Sequence, residues 1–459
     1  MNETITNHVV SGGIVSALYV IASALLAAFI AKKTDHFGLS FLILYWTLAQ
    51  PVLNAFYKIK IPGIPFDFSP NRILLLILVP VLLKYILNPL PRTNYHVIHR
   101  PRFIPYLIAY ILLVVVAMAV NRNVIPVKQL MAIPLEPVTF LVLFLAMKEM
   151  ITAKMLDAVL KGIVYIAVIN ALVALYQVMV DPTFLLAGEL RRAFGNTYRS
   201  YGLFPTEYIL GSFQIMAVFV TLAAYRGKKI VLPLVALLVL SIFTTFHRLD
   251  MIVLIIVSII YLRRYSQRRY GLPALLFIFF TAMAIIPAYK IFTSVGGESQ
   301  IVKERLSADT VSGRFEQYKV IIKNLHRYPL GLGDYDTPAY QKLMIANRMT
   351  KSVIMPNGQQ QVVGIGVHNG FLGVGIQYGI LAMIAFTIML FKMLVYFYKR
   401  ADRRQPLTLI PFFSVLIWIM ANSSNGIIVF RSYNVMIVAL ICGAFVGMYQ
   451  KGLIIPKPK

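Results

Sequence analysis

The sequence predicts an all-α fold: a polytopic transmembrane helical bundle of about 12–13 spans with a long external loop that contains short amphipathic helices. Of its 459 residues, 59% are hydrophobic and only 13% are charged. A soluble domain carries about a quarter charged residues, because water must cover its surface. Apolar stretches long enough to cross roughly 30 Å of hydrocarbon recur along the whole chain. We therefore expect residues 1–459 to form a single integral membrane domain.

Apolar windows of about 18 residues or more define the predicted spans. They are 11–31, 39–57, 72–88, 103–120, 124–147, 155–180, 207–225, 229–246, 249–262, 271–292, 367–397, 407–424 and 432–450. The closest pair is separated only by His247 and Arg248. Because these thirteen spans are odd in number, the two termini are expected on opposite sides of the membrane.

Lysine and arginine are distributed unevenly between alternate short loops, although the formal net charge of the chain is +27. This pattern is typical of membrane topology rather than of nucleic-acid binding, and the richer side faces the cytoplasm. The richer loops include Lys32, Lys33, Arg263, Arg264, Arg268, Arg269, Lys399, Arg400, Arg403 and Arg404. The two longest connections, 181–206 and 293–366, are then external loops, and we expect them to form the active-site face.

The second of these loops is 74 residues long and contains nine Lys or Arg and six Asp or Glu residues. Long loops in compact proteins are commonly functional. The single cysteine, Cys442, lies in the last predicted span, which excludes an intrachain disulfide and a cysteine-based metal site. We therefore expect the chemistry in the external loops and from other residue types.

His368 lies where the long loop re-enters the membrane, within the segment Gly364–Gly370. A neutral imidazole has one nitrogen that can accept a proton, and a boundary that excludes water suits a general base. The same side chain could instead be an interfacial histidine that hydrogen-bonds a loop carbonyl. The residue type alone leaves both interpretations open.

Four short segments follow one another between about residues 190 and 390. They are Arg192-Ala-Phe-Gly195; Arg248 at a span end; Ser312-Gly-Arg-Phe-Glu-Gln-Tyr318 with Tyr328-Pro-Leu-Gly-Leu-Gly333; and His368-Asn369 with Gly379. Their order and spacing resemble the O-antigen ligase and polymerase family. Two departures stand out: Thr245-Phe-His247 replaces Ser-x-Ser before Arg248, and Ala382 stands where a second glycine is expected.

The resemblance implies a membrane glycosyltransferase of the bacterial inner membrane, with its active site on the periplasmic or external face. The implied donor is a glycan on undecaprenyl pyrophosphate, which an acceptor hydroxyl attacks with inversion and without a metal ion or other cofactor. The acceptor stays open between another lipid-linked glycan, lipid A-core and a protein hydroxyl. The span number and the departures favour a polysaccharide polymerase over a ligase. Membrane lipids are expected partners, and nucleic acid is not.

The implied site contains arginine because pyrophosphate leaves in this reaction, and arginine stays charged and binds phosphate oxygens bidentately. Arg248 and Arg314 are the main candidates. Ser312 is predicted to cap a helix that runs to about Arg327, which places Arg314 in the first turn, where backbone amides favour an anion. Alternatively, Arg314 is a solvated helix-end charge, and Arg248 reaches lipid headgroups or pairs with Asp250.

The other candidate substrate contacts lie in the same loops. One of Arg191 and Arg192 is expected to contact the donor or the acceptor, and the other to be ordinary surface. Asn369 adjoins the candidate base, and Tyr318 could stack on a sugar ring. Helical spacing places four residues on one apolar stripe of the predicted loop helix, namely Phe315, Tyr318, Ile322 and Leu325.

Two acidic features favour other functions. Asp334-Tyr-Asp336 could hold a divalent cation, but no further carboxylate cluster accompanies it, and its context is typical of a turn. Glu136, between Pro134 and Pro137, predicts a broken intramembrane helix. A transporter or flippase of lipid-linked sugars would show such a helix, so this is the alternative function, although no internal repeat supports it.

Overall fold

The structure is a computed structural model that describes residues 100–265 and 308–454, together with Val79 and Leu83. Short gaps within these ranges fall at 124, 126, 187–189, 195–196, 336, 355–359, 403, 424–429 and 431–432. The predicted spans 11–31, 39–57 and 271–292, and all but two residues of 72–88, lie outside the described residues.

The first described range, 100–265, is a series of apolar helices with short connections and one longer loop. The helices are α1 (Ile104–Val120), α2 (Val127–Met150), α3 (Ala153–Met179), α4 (Glu207–Ala224), α5 (Val231–Thr244) and α6 (Arg248–Tyr265). Each coincides with a predicted span to within a few residues, including the closely spaced pair α5 and α6. Loop 181–206 contains a small antiparallel hairpin of β1 (Arg192–Phe194) and β2 (Thr197–Tyr198).

The second range, 308–454, begins with the end of the long loop. Its elements are α7 (Ala308–Leu325), α8 (Pro338–Ala346), β3 (Thr350–Ile354), β4 (Gln360–Gly364), α9 (Gly370–Tyr378), α10 (Ile380–Tyr398), a short 3-10 helix (Pro406–Thr408), α11 (Leu409–Asn422) and α12 (Tyr433–Gln450). Strands β3 and β4 pair antiparallel, with Thr350 opposite Gly364. The predicted all-α class is confirmed, and the two small hairpins add to it.

Three of the described helices, α3, α4 and α10, are long and apolar enough to cross a membrane. Helices α1, α5 and α11 are apolar but shorter, as is the apolar stretch Asn434–Gln450 of α12. The chain is thus a multi-pass membrane protein, whereas its total of about 12–13 spans stays a prediction. Helix α3 ends, and α4 and α6 begin, at the same end of the bundle. We call this end the loop end.

Helices α2 and α12 pack closely through glycine. A side chain at Gly443 would overlap the carbonyl of Phe144, and one at Gly447 would overlap the carbonyl of Lys148. Such close approach of backbones is a common way to associate helices in a membrane, where burial of apolar surface gives little driving force. Cys442 is fully buried beside this contact.

The predicted single span 367–397 is wrong, because the chain reverses direction at Gly379. The ring of Phe371 in α9 lies 5.7 Å from that of Phe386 in α10, so the two helices fold back on each other. Gly379 has a φ of 94°, a conformation that glycine adopts at little cost, and a side chain there would overlap the carbonyl of Pro329. The start of α9 consequently lies beside the second turn of α10.

The predicted start of the loop helix is also wrong. The described helix α7 already includes Ala308, so Ser312 lies inside it and Arg314 is beyond the first turn. The apolar stripe differs too, because Phe315 and Ile322 are 60% and 59% exposed. The buried face of α7 instead combines apolar residues with Gln317, whose hydrogen bonds compensate its burial. Spacing alone could not distinguish these two neighbouring faces.

The broken helix predicted around Glu136 is not found. Helix α2 continues through both Pro134 and Pro137. Each proline removes one backbone donor, but neighbouring side chains can satisfy backbone groups in such helices. A continuous α2 removes the main feature that favoured a transporter.

Two buried polar side chains of α3 hold loop 181–206 against the bundle. The carbonyl oxygen of Gln177 accepts from the amides of Tyr201 and Gly202 at 2.8 and 2.9 Å. Asn170, two turns earlier, accepts from the amide of Leu203 at 2.9 Å. Backbone donors that enter a membrane protein need such partners. The loop is thereby fixed at the loop end, close to the start of α4.

Candidate active site

His368 lies between β4 and α9, and a buried amide of α7 fixes its backbone. Gln317 is 3% exposed; its Nε2 donates to the carbonyl of Gly366 at 3.1 Å, and its Oε1 accepts from the amide of His368 at 3.3 Å. Arg314 precedes Gln317 by one helical turn, so the two residues are neighbours on α7. The backbone of His368 is therefore tied to the helix that carries Arg314.

Asn369 connects the candidate base to two helices. Its Oδ1 accepts from the amide of Leu372 at 3.0 Å and so caps α9, and its Nδ2 donates to the carbonyl of Ser423 at 2.9 Å. A side chain at Gly370 would lie 2.7 Å from Oδ1 of Asn422, at the end of α11. These contacts give Asn369 a positioning role, and its contact with substrate stays a prediction.

The glycine-rich segment after α7 pairs with the last turn of α9. The amide of Leu332 donates to the carbonyl of Ile376 at 2.8 Å, and that of Gly333 to the carbonyl of Gln377 at 3.0 Å. A side chain at Gly331 would overlap this second carbonyl. The segment thus satisfies carbonyls at the helix end and explains why α9 stops within an apolar run.

Asp334 takes part in the same packing. It is 5% exposed, and its Oδ1 accepts from the amide of Tyr335 at 2.8 Å and from Nε2 of Gln377 at 3.0 Å. These contacts fit the turn that the sequence favours. Asp336 lies outside the described residues. Among the residues that are described, no group of three or more His, Cys, Asp or Glu side chains could hold a metal ion.

Arg314 and Tyr318 are four residues apart on α7, where they can interact. Arg314 is exposed and Tyr318 is half-buried. Burial raises the pKa of the Tyr318 phenol, and the positive charge of Arg314 opposes this only in part. The ring of Phe315 lies 6.2 Å from that of Tyr318 in an edge-on arrangement. This face of α7 therefore presents a guanidinium beside two aromatic rings.

Arg248 begins α6 at the loop end and is exposed. Helices α6 and α11 run in opposite directions, because Tyr261 near the end of α6 contacts Phe413 near the start of α11 at 5.8 Å. Thirteen residues lead from Arg248 to Tyr261 and nine from Phe413 to Asn422. Arg248 therefore lies toward the same end of the bundle as Asn422, on which the His368 segment rests.

Asp250 has a partner other than Arg248. Its carboxylate is 3% exposed, and Oδ2 lies 2.8 Å from Nδ1 of His247. A side chain at Gly211 of α4 would overlap this carboxylate. The alternative salt bridge between Arg248 and Asp250 is thus replaced by a pair that closes the turn between α5 and α6.

Glu207, the first residue of α4, is a buried carboxylate shared by two arginines. Its Oε1 lies 2.5 Å from Arg199 and 3.7 Å from Arg191, while its side chain is 2% exposed. Within the described residues, Oε2 of Glu207 and Nε of Arg199 are buried without a hydrogen-bond partner. Arg192 is the first residue of β1. Burial also raises the pKa of Tyr201 to about 12.

Comparison with known proteins then identifies the family. Residues 233–387, about a third of the chain, match a family model described as O-antigen ligase. Over this segment the chain is similar to the O-antigen ligase family, which is the family that its sequence pattern resembles. The match contains Arg248, Arg314 and His368. No curated protein matches the chain.

The match supports a glycosyltransferase-like activity in the membrane, with lipid-linked glycan and lipid A-core as the general class of partners. The roles predicted for His368, Arg248, Arg314, Arg191 and Arg192 agree with such an activity and stay predictions. The family sequence model thus supplies the reaction class, and the structure supplies the arrangement of the side chains.

Sequence reasoning missed Gln317, Arg199 and Glu207. An acid that opens an apolar helix could have drawn attention to Glu207, since intramembrane or boundary charges default to a functional hypothesis. Gln317 gave no such signal, because a glutamine on an amphipathic loop helix is ordinary. Its role depends on a segment about fifty residues later in the chain.

Proposed function

We propose that this protein transfers a glycan from undecaprenyl pyrophosphate to a hydroxyl acceptor on the periplasmic or external face of the bacterial inner membrane. The reaction is an inverting displacement that needs no metal ion. Loops 181–206 and 293–366 form the active-site face. The observation that carries the proposal is the Gln317 amide, which joins the backbone of His368 to the helix that carries Arg314.

His368 acts as the general base. One of its ring nitrogens takes the proton of the acceptor hydroxyl while the acceptor oxygen forms a bond to the anomeric carbon. The bond between that carbon and the diphosphate breaks on the opposite face, and its electron pair leaves with the diphosphate oxygen. A single displacement of this kind inverts the anomeric centre. A positioned base contributes about 10²–10⁴-fold to such a step.

Arg248 and Arg314 stabilise the diphosphate as its negative charge grows. A single preorganised donor in a site poor in water can lower the barrier by about 3 kcal/mol. Because Arg314 lies beyond the first turn of α7, its contribution comes from the guanidinium and not from a helix start. Tyr318, one turn later, offers its ring to a sugar. Arg191 or Arg192 assists from the other loop.

The acceptor is a second lipid-linked glycan, which makes the protein a polysaccharide polymerase. The departure at Thr245-Phe-His247 supports a divergent member over a ligase that uses lipid A-core or a protein hydroxyl. Gel analysis of surface polysaccharide in a deletion strain tests this choice. Loss of all long chains supports a polymerase, and finished polymer that accumulates on its lipid carrier supports a ligase.

Reconstitution tests the enzymatic function against the transporter alternative. Purified protein in proteoliposomes receives a fluorescent lipid-linked glycan as donor and a second lipid-linked glycan as acceptor. We expect extended glycans in which the new bond is inverted at the anomeric carbon, with or without a chelator of divalent cations. Movement of the labelled lipid across the bilayer without any extended product would overturn the proposal in favour of a flippase.

A further inference from the structure

We infer that His247, held by the buried Asp250, is a further donor-binding residue whose outward ring nitrogen contacts the diphosphate beside Arg248. The inference rests on the proposed function, because it assigns an additional contact to the same donor. It concerns a feature of this chain, since Thr245-Phe-His247 stands where the related proteins are expected to have Ser-x-Ser.

The His247 ring is oriented by a carboxylate that has almost no access to solvent. Nδ1 lies 2.8 Å from Oδ2 of Asp250, and the two side chains are 18% and 3% exposed. A buried carboxylate is costly unless a partner compensates its charge. Nδ1 therefore carries a proton and donates it to Asp250 in a hydrogen bond. Nε2 is the remaining polar atom of the ring, and it is the atom that we assign to the ligand.

Helix α4 supports the pair from the other side. Gly211 leaves the space that the Asp250 carboxylate occupies, and the ring of Tyr208 lies 6.1 Å from that of His247. Glu207 precedes Gly211 by four residues and so shares its face of α4. The imidazole is consequently held between α4 and α6 at the end of the bundle where the arginines lie.

The turn that carries His247 is strained. Phe246 has a φ of 49°, which is a left-handed conformation that bulky residues rarely adopt. Such a conformation persists when the surrounding contacts determine it, and it is commonly found at functional sites. Here the Thr245 hydroxyl accepts from the His247 amide at 3.2 Å, and the Asp250 amide donates to the His247 carbonyl at 3.1 Å. The strain therefore coincides with a fixed orientation of the imidazole.

His247 lies among several charged groups. Asp250 is in direct contact, and Glu207 is close enough to Asp250 to act on it electrostatically. Helices α5 and α11, which also pack against α6, contain no titratable side chain in their described ranges. Further charged or titratable groups toward this end of the bundle include Arg248 on α6, Tyr208 on α4, and Arg191, Arg199 and Tyr201 on the preceding loop. An imidazole that donates from Nδ1 to Asp250 and from Nε2 to a diphosphate carries a positive charge beside that of Arg248, which suits such a ligand.

Donor binding by designed variants tests this contact. The parent protein is His368→Ala, which cannot turn the donor over, and the probe is a polyprenyl diphosphate sugar in detergent micelles. His247→Asn keeps an N–H donor for Asp250 at the position of Nδ1 but lacks Nε2. We expect its Kd for the probe to rise about ten- to a hundredfold, as for loss of a hydrogen bond between charged groups. The matched control, His326→Asn, changes an exposed histidine after α7 and leaves Kd unchanged.

A Kd for His247→Asn equal to that of the parent would overturn the inference and leave the proposed function intact. Absence of probe binding by the parent would overturn both, so the two failures are distinguishable. Thermal unfolding of each variant shows whether the fold is retained. If His247→Asn does not fold, the pH dependence of the parent, which keeps His247, decides the question.

The pH test uses the different charge behaviour of histidine and arginine. A histidine that binds an anion loses its charge as pH rises, whereas arginine stays charged. Between about pH 5.5 and 8.5 we therefore expect the parent to bind the probe more weakly as pH rises, while a folded His247→Asn variant shows little change. Both phosphates of the probe are esterified and do not titrate in this range. A constant Kd for the parent would overturn the inference.

Discussion

Two regions at the loop end hold their candidate residues by different physical means. The region around α9 positions His368 with backbone hydrogen bonds, uncharged amides and close glycine contacts. The region around α4 and α6 positions cationic or basic side chains with buried carboxylates: Glu207 holds Arg199 and Arg191, and Asp250 holds His247. The comparison suggests that the proposed base depends on tight packing, whereas the proposed diphosphate contacts depend on balanced charge.

This difference has a chemical reason. A base must meet one hydroxyl in a defined geometry, and small displacements at an active site lower the rate strongly. Uncharged amides and packed glycines hold such a geometry without adding charge beside the imidazole. A diphosphate needs positive charge, and buried carboxylates keep several guanidiniums together before the donor arrives. Each of the following predictions tests one side of this contrast.

The largest effect is expected from Gly379→Ala. The substitution forces a side chain into a left-handed backbone conformation and against the carbonyl of Pro329. We expect the free energy of unfolding to fall by about 3 kcal/mol and turnover to fall at least about a hundredfold. The matched control is Gly162→Ala in α3, where the added methyl meets open space and should be neutral or slightly stabilising. Thermal unfolding measures the stability of both variants, and transfer assays measure their turnover. A Gly379→Ala protein with the stability and turnover of the wild type would contradict the packing account.

Glu207→Gln tests the charged side. It removes a buried negative charge that Arg199 and Arg191 share. Leaving buried charge without its partner costs about 3 kcal/mol of stability. Because the arginines lose their common anchor, we expect the KM for the donor to rise roughly thirtyfold, with a smaller change in kcat.

Glu316→Gln is the control for Glu207→Gln. Glu316 also pairs with a cation, Lys319, at 2.6 Å, but these two side chains are 54% and 71% exposed. A solvated pair of this kind contributes about 0–1 kcal/mol, so both stability and KM should stay near the wild-type values. Equal effects of the two substitutions would show that burial of Glu207 has no functional consequence.

Gln317→Met tests the uncharged side by removing two hydrogen bonds while nearly keeping the side-chain volume. Each hydrogen bond contributes about 1 kcal/mol, so the free energy of unfolding should fall by about 1–2 kcal/mol. Because His368 loses its backbone restraint, kcat should fall roughly tenfold with little change in the KM for the donor. Lys323→Met, on the exposed face of α7, is the control. A change in KM alone would contradict the positioning role of Gln317.

The smallest effect on activity is expected from removal of metal ions or of the Asp334 charge, which the sequence offered as a possible cation ligand. Asp334 accepts from Tyr335 and Gln377, and an asparagine keeps an oxygen for both donors. Asp334→Asn, and the wild-type protein with a chelator, should therefore retain activity to within about twofold. Loss of activity that a divalent cation restores would contradict the metal-independent mechanism.

Most of the described helices could be predicted because long apolar runs between charged turns define them. The reversal at Gly379 could not be predicted, since apolar residues flank it on both sides. It depends on the segment Pro329–Gly333, which is distant in sequence. The start of α7 was misplaced for a related reason. Ser312 is compatible with a cap, but the residues before it are compatible with a helix as well.

In the candidate site too, some residues are indicated by the local sequence, whereas others depend on segments that are distant in the chain. His368, Arg248 and Arg314 could be selected because their residue types suit the implied chemistry. Gln317 and Asp250 act through tertiary contacts with residues that the sequence does not reveal as neighbours. Asp250 depends on Gly211 of another helix, a pairing that no local pattern indicates. Residues that perform chemistry were thus easier to find than residues that position them.

The most direct test is single-turnover transfer by wild-type and His368→Ala proteins in proteoliposomes, with purified lipid-linked donor and acceptor. If His368 is the general base, transfer by His368→Ala should be at least about a hundredfold slower, while its Kd for the donor stays unchanged. Transfer by His368→Ala at the wild-type rate would show that another group accepts the proton.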